Sequence, residues 1–255
     1  MRRPAVLFAL ALIAACTVHS GSRRSVYRTT LSVPAEGVNA ITVSNNLGSV
    51  RFVNADDGKV TVDLDVLLDE SRPETDAVKV VESHLRVLQT GDQLELRDAH
   101  LGDHDREDWE LRLVVHTPSG RALRVEQSAG AVDVDIAQCS TLSARCGNGT
   151  IQTRVGTVVG ALDLHVETGQ VDATVTAEAR GGGGLGVGNG QASLALPEHH
   201  KGVFDLAVTT GGLRVAPRFG LDVVRGTVGG KAHGSVGEGG PSFRIEVGTG
   251  ELVLK

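Results

Sequence analysis

The stretch from Leu162 to Val175 reads LDLHVETGQVDATV, and its pattern decides the fold. Apolar residues occupy every second position up to Val166, and after Gly169 they alternate again with the opposite parity. Alternation with a period of two is typical of a β-strand that buries one face. The intervening glycine indicates a bend, because glycine adopts positive φ angles at no steric cost. The stretch therefore predicts a strand, a glycine turn and a second strand.

The same frame recurs along most of the chain. The glycines at the centres of the recurring frames are Gly48, Gly130, Gly149, Gly169, Gly190, Gly211 and Gly250. From Gly130 to Gly211 the successive spacings are 19, 20, 21 and 21 residues. A repeat of about 20 residues without a helix is typical of stacked β-architectures, in which each repeat buries its apolar face against the next. The sequence therefore predicts an all-β fold built as a β-solenoid.

The repeat also predicts which outward residues become neighbours. In a parallel stack, residues at equal offsets from the glycine lie about 4.8 Å apart. Three residues after the glycine, this column contains Asp133, Gln152, Asp172, Ser193 and Arg214. Opposite charges become neighbours at Asp135–Arg154 and at Glu126–Arg145. Each exposed pair contributes only ~0.2–1 kcal/mol, so these pairs matter mainly as a test of the register.

One segment departs from the alternation. The apolar residues of this segment follow a helical spacing: Ala77, Val78, Val81, Leu85 and Leu88. Pro73 precedes the run and Gly91 follows it, as is typical of a helix start and stop. We therefore predict one short helix near residues 74–88. Since no linker separates this part from the later repeats, we expect a single domain over residues 28–255.

The N-terminal residues have the pattern of an export signal. Arg2 and Arg3 precede an apolar run over residues 6–14, which is far shorter than the about 20 residues that cross a bilayer. The following LIAAC, ending at Cys16, resembles the lipobox of bacterial lipoproteins, in which the signal is cleaved before a lipidated cysteine. That resemblance implies a signal peptide over residues 1–15, a lipid on Cys16 and a flexible tether over residues 16–27. The alternative is an ordinary secretory signal with a cysteine there by chance.

The residue after Cys16 bears on the location of the protein, and the net charge bears on the kind of partner it binds. By the same resemblance, Thr17 in place of an aspartate after the cysteine favours the outer membrane of a two-membrane cell envelope. Loss of Arg2 and Arg3 leaves 25 − 2 = 23 basic residues against 31 acidic residues, a net charge of −8. This acidic balance argues against nucleic acid as a partner. Contact with the membrane would come through the N-terminal lipid.

The glycine frame resembles a family of bacterial cell-envelope proteins that are labelled "putative adhesins". The resemblance covers residues 28–255, and it is strongest at Gly130–Val134, at Gly169–Val171 and over Phe243–Leu252. It implies a β-solenoid displayed on the cell envelope. It supplies no catalytic residue that could be carried over to this chain.

Two polar or glycine-rich stretches are candidate ligand sites. The densest polar loop contains His100, Asp103, His104 and Asp105, residue types that bind Zn²⁺ or Ca²⁺. Their spacing matches neither a metalloprotease helix nor a calcium loop, so we favour a solvated hairpin and expect no metal and no cofactor. The glycine run over residues 181–190 precedes a strand pattern, whereas a phosphate loop precedes a helix. His199 and His200 are interpreted as a polar surface turn.

Two cysteines leave two interpretations open. Cys139 and Cys146 are seven positions apart in a domain that is predicted to be exported, where disulfides are stable. Cys146 also occupies the inward position that Val166 holds in a later repeat, so it could be a small core residue. The sequence therefore allows either a disulfide or two separate buried thiols.

These features favour a non-enzymatic, lipid-anchored structural or interaction module with an envelope protein or a glycan as its partner. The alternative is a carbohydrate-active enzyme, since such enzymes use paired carboxylates. Its candidate residues are the outward-facing Asp133, Asp135, Asp163 and Asp172. An accessory factor in an envelope-stress response is a third interpretation.

Overall fold

The computed structural model describes residues 23–69, 85–98 and 109–255. Within these ranges the chain forms one 14-stranded sheet and a short 3-10 helix, η1 (Pro217–Phe219). The strands are β1 (Arg23–Pro34), β2 (Ala40–Asn54), β3 (Lys59–Asp69), β4 (Leu85–Thr90), β5 (Gln93–Asp98), β6 (Trp109–Thr117), β7 (Ala122–Cys139), β8 (Thr141–Val158), β9 (Leu162–Ala179), β10 (Gly183–Ala195), β11 (Gly202–Val215), β12 (Asp222–Arg225), β13 (Gly230–Val236) and β14 (Ser242–Leu254). The prediction of an all-β chain is confirmed for these residues. No helix among them is long and apolar enough to cross a membrane.

A parallel stack forms the centre of the sheet. Its strands follow one another in the order β2, β7, β8, β9, β10, β14 and β11. The turn glycines are register partners at every step, from Gly48 beside Gly130 to Gly250 beside Gly211. The predicted neighbours Asp135 and Arg154 are also register partners. The period of the sequence therefore sets the register of the stack.

The glycine corner accounts for the change of parity. In β9, Leu164 and Val166 are buried before the corner, and Val171 and Ala173 are buried after it. Gly169 between them has a φ of 138°. A Cβ atom on Gly169 would also overlap the carbonyl oxygen of the glycine below it in the stack. Both the backbone angle and the close approach of the strands thus require glycine here.

Contrary to the prediction from the sequence, the last strands of the stack do not follow their order in the chain. We predicted Ser193 and Arg214 as neighbours in one column, but β14 lies between their strands and Val253 separates them. The outer side of β11 is paired instead with the antiparallel strand β13. Because that side is occupied, the last frame of the sequence fills the space between β10 and β11.

Antiparallel strands close both ends of the stack. At the N-terminal end, β5 and β6 pair with β2 in parallel, and β3 and β1 then continue beyond β6 in antiparallel pairing. At the other end, β13 and β12 follow β11 in the same antiparallel manner. These antiparallel strands end the repeat, because a strand of opposite direction does not continue a parallel register.

The N-terminal end corrects two predictions. Residues 85–88 belong to β4, which pairs with β5, so the helix predicted near 74–88 does not include them. Main-chain pairing with β5 outweighs their helical spacing; residues 74–84 lie outside the described residues. Strand β1 begins at Arg23 and pairs with β3, so residues 23–27 belong to the sheet and not to the predicted tether.

Candidate interaction surface

The outer surface of the stack has two faces that meet at the glycine corner. We call the outward positions four and six residues before each glycine the pre-glycine face; in β7 they are Glu126 and Arg124. The outward positions three and five residues after each glycine form the post-glycine face; in β7 they are Asp133 and Asp135. Each face carries a shallow, polar depression that is lined by described residues.

The depression on the pre-glycine face, which we call the β2 trough, has a volume of about 340 Å³. Its lining residues are Thr42, Ser44, Gln93, Glu95, Arg97, Arg124 and Glu126. The small side chains of β2 lie between longer ones, because Thr42 pairs with Glu95 on one side and with Arg124 on the other. Arg124 donates a hydrogen bond of 2.7 Å to Glu126. The trough therefore presents guanidinium donors and carboxylate acceptors on both sides of a hydroxyl floor.

The depression on the post-glycine face contains most of the predicted carboxylates. It has a volume of about 240 Å³ and is lined by Asp133, Asp135, Gln152, Thr153, Arg154, Asp172 and Thr174. Asp133 forms a salt bridge of 3.2 Å with Arg51. Asp163 lies apart on the pre-glycine face, where its carboxylate accepts a hydrogen bond of 3.1 Å from the Gly184 backbone. The structure thus brings together three of the four candidate aspartates.

The spacing of these aspartates does not match a retaining glycosidase. Asp133 and Asp172 are separated by the strand that carries Gln152. Two strand spacings amount to ~9.6 Å, whereas a retaining carboxylate pair is about 5–5.5 Å apart. The side chain of Gln152 also occupies the space between them.

The other candidate ligands lie in part outside the described residues. This applies to His100, Asp103, His104 and Asp105, and also to Cys16. Among the residues that the structure describes, no group of three or more His, Cys, Asp or Glu side chains is placed to hold a metal ion. Strand β10 includes the segment after the glycine run that we predicted as a strand, and it also includes residues 183–190 of the run itself.

The two cysteines are free and buried. Cys139 lies on β7, and its register partner on β8 is Val158. Cys146 lies on β8, and its register partner on β9 is Val166. The structure therefore contains two separate core thiols and no disulfide between them. Burial raises the pKa of Cys139 to about 12 and that of Cys146 to about 11. Thiols that stay protonated are poor nucleophiles, so these cysteines serve as small core residues.

Sequence reasoning missed a buried polar pair at the corner. Asn45 and Gln127 occupy inward positions of neighbouring strands and form a side-chain hydrogen bond of 3.1 Å. Gln127 also donates a hydrogen bond of 2.6 Å to the carbonyl oxygen of Ala129. The amide residues at positions that are apolar in later repeats were the available signal. Together they satisfy main-chain carbonyl groups where the first strands turn.

A buried aromatic cluster was also missed. His200 is only 8% exposed, which contradicts its interpretation as a surface residue. Its ring lies edge-on to Phe204 and Phe243, with centroid distances of 6.2 and 5.5 Å. Burial lowers the pKa of the His200 imidazole below its ordinary value. The polar neighbours of His200 in the sequence gave no signal of this environment.

Comparison with known proteins supports the architecture. No protein-family model and no curated protein matches the chain. A solved structure from Clostridium sporogenes, described as a "putative cell adhesion protein", matches with a TM-score of 0.50 at 12% identity, covering 90% of this chain and 98% of that one. A "putative adhesin" from Bacteroides fragilis matches with a TM-score of 0.37 at 13% identity, covering 90% of this chain and 97% of that one. At such identities the likeness shows the fold alone, and that fold is shared with the Clostridium sporogenes protein.

Proposed function

We propose that this protein is a lipid-anchored β-solenoid of the cell envelope whose outer faces bind a protein or glycan partner without catalysing a reaction. The constant register of the parallel stack carries the proposal. It arranges outward side chains in straight columns with a spacing of about 4.8 Å. A regular polar surface on a rigid backbone suits an extended partner, because little backbone entropy is lost on binding.

The chemistry of the β2 trough supports a polar partner. Guanidinium groups of Arg97 and Arg124 lie near carboxylates of Glu95 and Glu126, so donors and acceptors alternate around the depression. Sugar hydroxyls and main-chain amides both donate and accept hydrogen bonds, and they match such a lining. The shared fold with a protein described as a cell adhesion protein is consistent with this role.

The proposed anchor gives the stack an orientation. Six residues, 17–22, separate Cys16 from the first residue of β1. Fully extended, they span at most about 20 Å. The N-terminal end of the stack would then lie close to the membrane, and the end formed by β11, β12 and β13 would project away from it.

The anchor is tested by the substitution Cys16→Ser. We expect the variant to leave the outer-membrane fraction and to remain uncleaved, because the lipid and the processing step both depend on this thiol in a lipoprotein. Fractionation of cells followed by immunoblotting measures both effects. Unchanged fractionation and unchanged processing would refute the lipid anchor, and the interaction role would then have to be tested on a soluble protein.

One observation favours a carbohydrate-active enzyme as a second candidate. Asp133, Asp135 and Asp172 share one depression, together with Arg154. A distorted substrate that spans two strand spacings could use such carboxylates as acid and base. The separation of ~9.6 Å argues against a retaining pair, and Gln152 lies between Asp133 and Asp172.

Binding measurements with matched variants test the interaction role. The probes are lipopolysaccharide, peptidoglycan fragments and immobilised envelope proteins, measured by surface plasmon resonance. We expect saturable binding to one of them, and about a tenfold loss in the double variant Arg97→Glu/Arg124→Glu, because arginine is enriched among the few interface residues that carry most of the binding energy. Arg180→Glu is the control, since Arg180 and Arg124 have exposures of 60% and 59% and each pairs with a glutamate two residues away.

Two results would contradict this role. Absence of saturable binding to all three probes would refute the proposed interaction. Release of reducing sugars from a glycan, abolished by Asp133→Asn, would support the enzyme instead.

A further inference from the structure

The C-terminal strand of the described sheet is inserted between two strands that precede it. The chain forms β10 and β11, continues through β12 and β13, and then returns with β14 to a position between β10 and β11. Eleven register pairs join β14 to β10 and twelve join it to β11. We call the space that β14 occupies the β10–β11 slot.

The slot is selective for the sequence of β14 itself. A Cβ atom on Gly250 would overlap the carbonyl oxygen of Gly190, and one on Gly248 would overlap that of Gly188. The slot therefore requires glycine at both positions of its occupant. Its occupant must also bury five apolar side chains, all at most 1% exposed: Phe243, Ile245, Val247, Leu252 and Leu254. A second copy of this chain is a partner that carries such a strand.

The connection to β14 is short, exposed and rich in glycine. Residues 237–240 are exposed between β13 and β14. Gly237, Gly239 and Gly240 in this connection have φ angles of 70°, 72° and 98°. Glycine populates both signs of φ readily, so this segment can direct β14 back into its own slot or out towards a neighbour.

The order of folding favours exchange between copies. Strand β14 follows β11, β12 and β13 in the chain, so in a chain that folds from its N-terminus the β10–β11 slot stays open until β14 arrives. During this interval the β14 strand of a neighbouring copy competes for the same slot. Chains that fold in segments are prone to such exchange.

We propose that copies of this chain assemble by exchanging β14, each copy inserting this strand into the β10–β11 slot of its neighbour. The exchanged form keeps every contact of β14 and changes only the path of residues 237–241. Exchange therefore depends on protein concentration and on transient opening of the slot. It does not depend on the partner proposed above.

Disulfide trapping between full-length copies tests the exchange. Asn189 on β10 is the register partner of Thr249 on β14 and of Thr168 on β9, and all three side chains are exposed. One copy carries Asn189→Cys and the other carries Thr249→Cys, both in a background of Cys16→Ser, Cys139→Ala and Cys146→Ala. The control replaces the second copy with Thr168→Cys, because β9 is not exchanged. Each pair is unfolded, refolded as a mixture at high concentration, and oxidised.

We expect the Asn189→Cys and Thr249→Cys copies to give about tenfold more cross-linked dimer than the control pair, because only an exchanged strand brings the two thiols within disulfide distance. Equal yields in the two mixtures would overturn the proposal. A single chain with both Asn189→Cys and Thr249→Cys provides a second measurement, since it should form the disulfide within a monomer. Monomeric disulfide without excess dimer excludes exchange and leaves the fold intact; failure to form this disulfide either within one copy or between two copies refutes the slot itself.

Discussion

The central strands β7, β8 and β9 and the C-terminal strands β10, β14 and β11 share one register but not one chain order. In the centre, consecutive strands in the sequence are neighbours in the sheet. At the C-terminal end, two hairpin strands intervene before the stack is completed. The comparison shows that the glycine frame determines how a strand aligns with its neighbour. Which neighbour it has is decided by the strands that cover the end of the stack.

The two regions also fill their interiors differently. The central strands are packed with aliphatic residues such as Leu164 and Val171. At the C-terminal end the rings of Phe204 and Phe243 stack at 5.7 Å, and Phe219 and His200 lie against them. Large rings cover the open end of the core where the repeat stops. The frame thus tolerates a change of side-chain size as long as the corner glycine is kept.

The corner glycines give the largest expected effect. Gly149 of the centre and Gly250 of the C-terminal end have φ angles of 150° and 139°, and a Cβ atom on either would overlap a glycine carbonyl oxygen. We expect Gly149→Ala and Gly250→Ala each to lower the free energy of unfolding by about 3–5 kcal/mol, from backbone strain and steric overlap together. Urea denaturation measures the loss.

Gly37→Ala is the control for the backbone term alone. Gly37 has a φ of 78°, and a Cβ atom added to it would meet no other atom within 4 Å. We expect Gly37→Ala to lower the free energy of unfolding by only about 1–2 kcal/mol. If Gly250→Ala were no more costly than Gly37→Ala, β14 would not lie in the stack, and the two regions would not share a register.

The inward positions three residues before each corner glycine give a smaller expected effect. Their side chains change along the stack from Asn45 and Gln127 to Val166 and Val247. We expect Gln127→Val to cost about 1–3 kcal/mol, because the buried Asn45 amide loses a partner. The double variant Asn45→Val/Gln127→Val should cost less than the sum of the single variants, since it reproduces the later repeats. Additive effects in the double-mutant cycle would show that the two amides do not act as a pair.

The particular residues explain how far the sequence could predict this structure. The neighbours Asp133, Gln152 and Asp172 were predictable because the frame repeats locally around each glycine. The position of Val253 was not, because every frame carries the same alternating pattern and does not indicate between which strands β14 lies. The β2 trough depends on pairing between β5 and β2, which no period in the sequence indicates. His200 was missed because Phe243, which contacts its ring, lies more than forty positions away in the chain.

The aromatic end should respond to pH, because its core contains the buried side chain of His200. Burial lowers the pKa of His200 in the folded state, while the nearby charges of Glu178 and Arg218 act on this pKa in opposite directions and by smaller amounts. Below the ordinary histidine pKa of about 6.5, the unfolded chain therefore binds a proton that the folded chain does not. The contribution of His200 to the free energy of unfolding is therefore fully present above that pH, and it decreases as the pH is lowered from 7 to 5. We expect His200→Phe to flatten this dependence, because a phenyl ring keeps the contacts with Phe204 and Phe243 and carries no proton.

His199→Gln is the control, because His199 is exposed and should leave the slope unchanged. Urea denaturation at a series of pH values measures the slope, and an equal slope in wild type and in His200→Phe would assign the acid sensitivity to other groups.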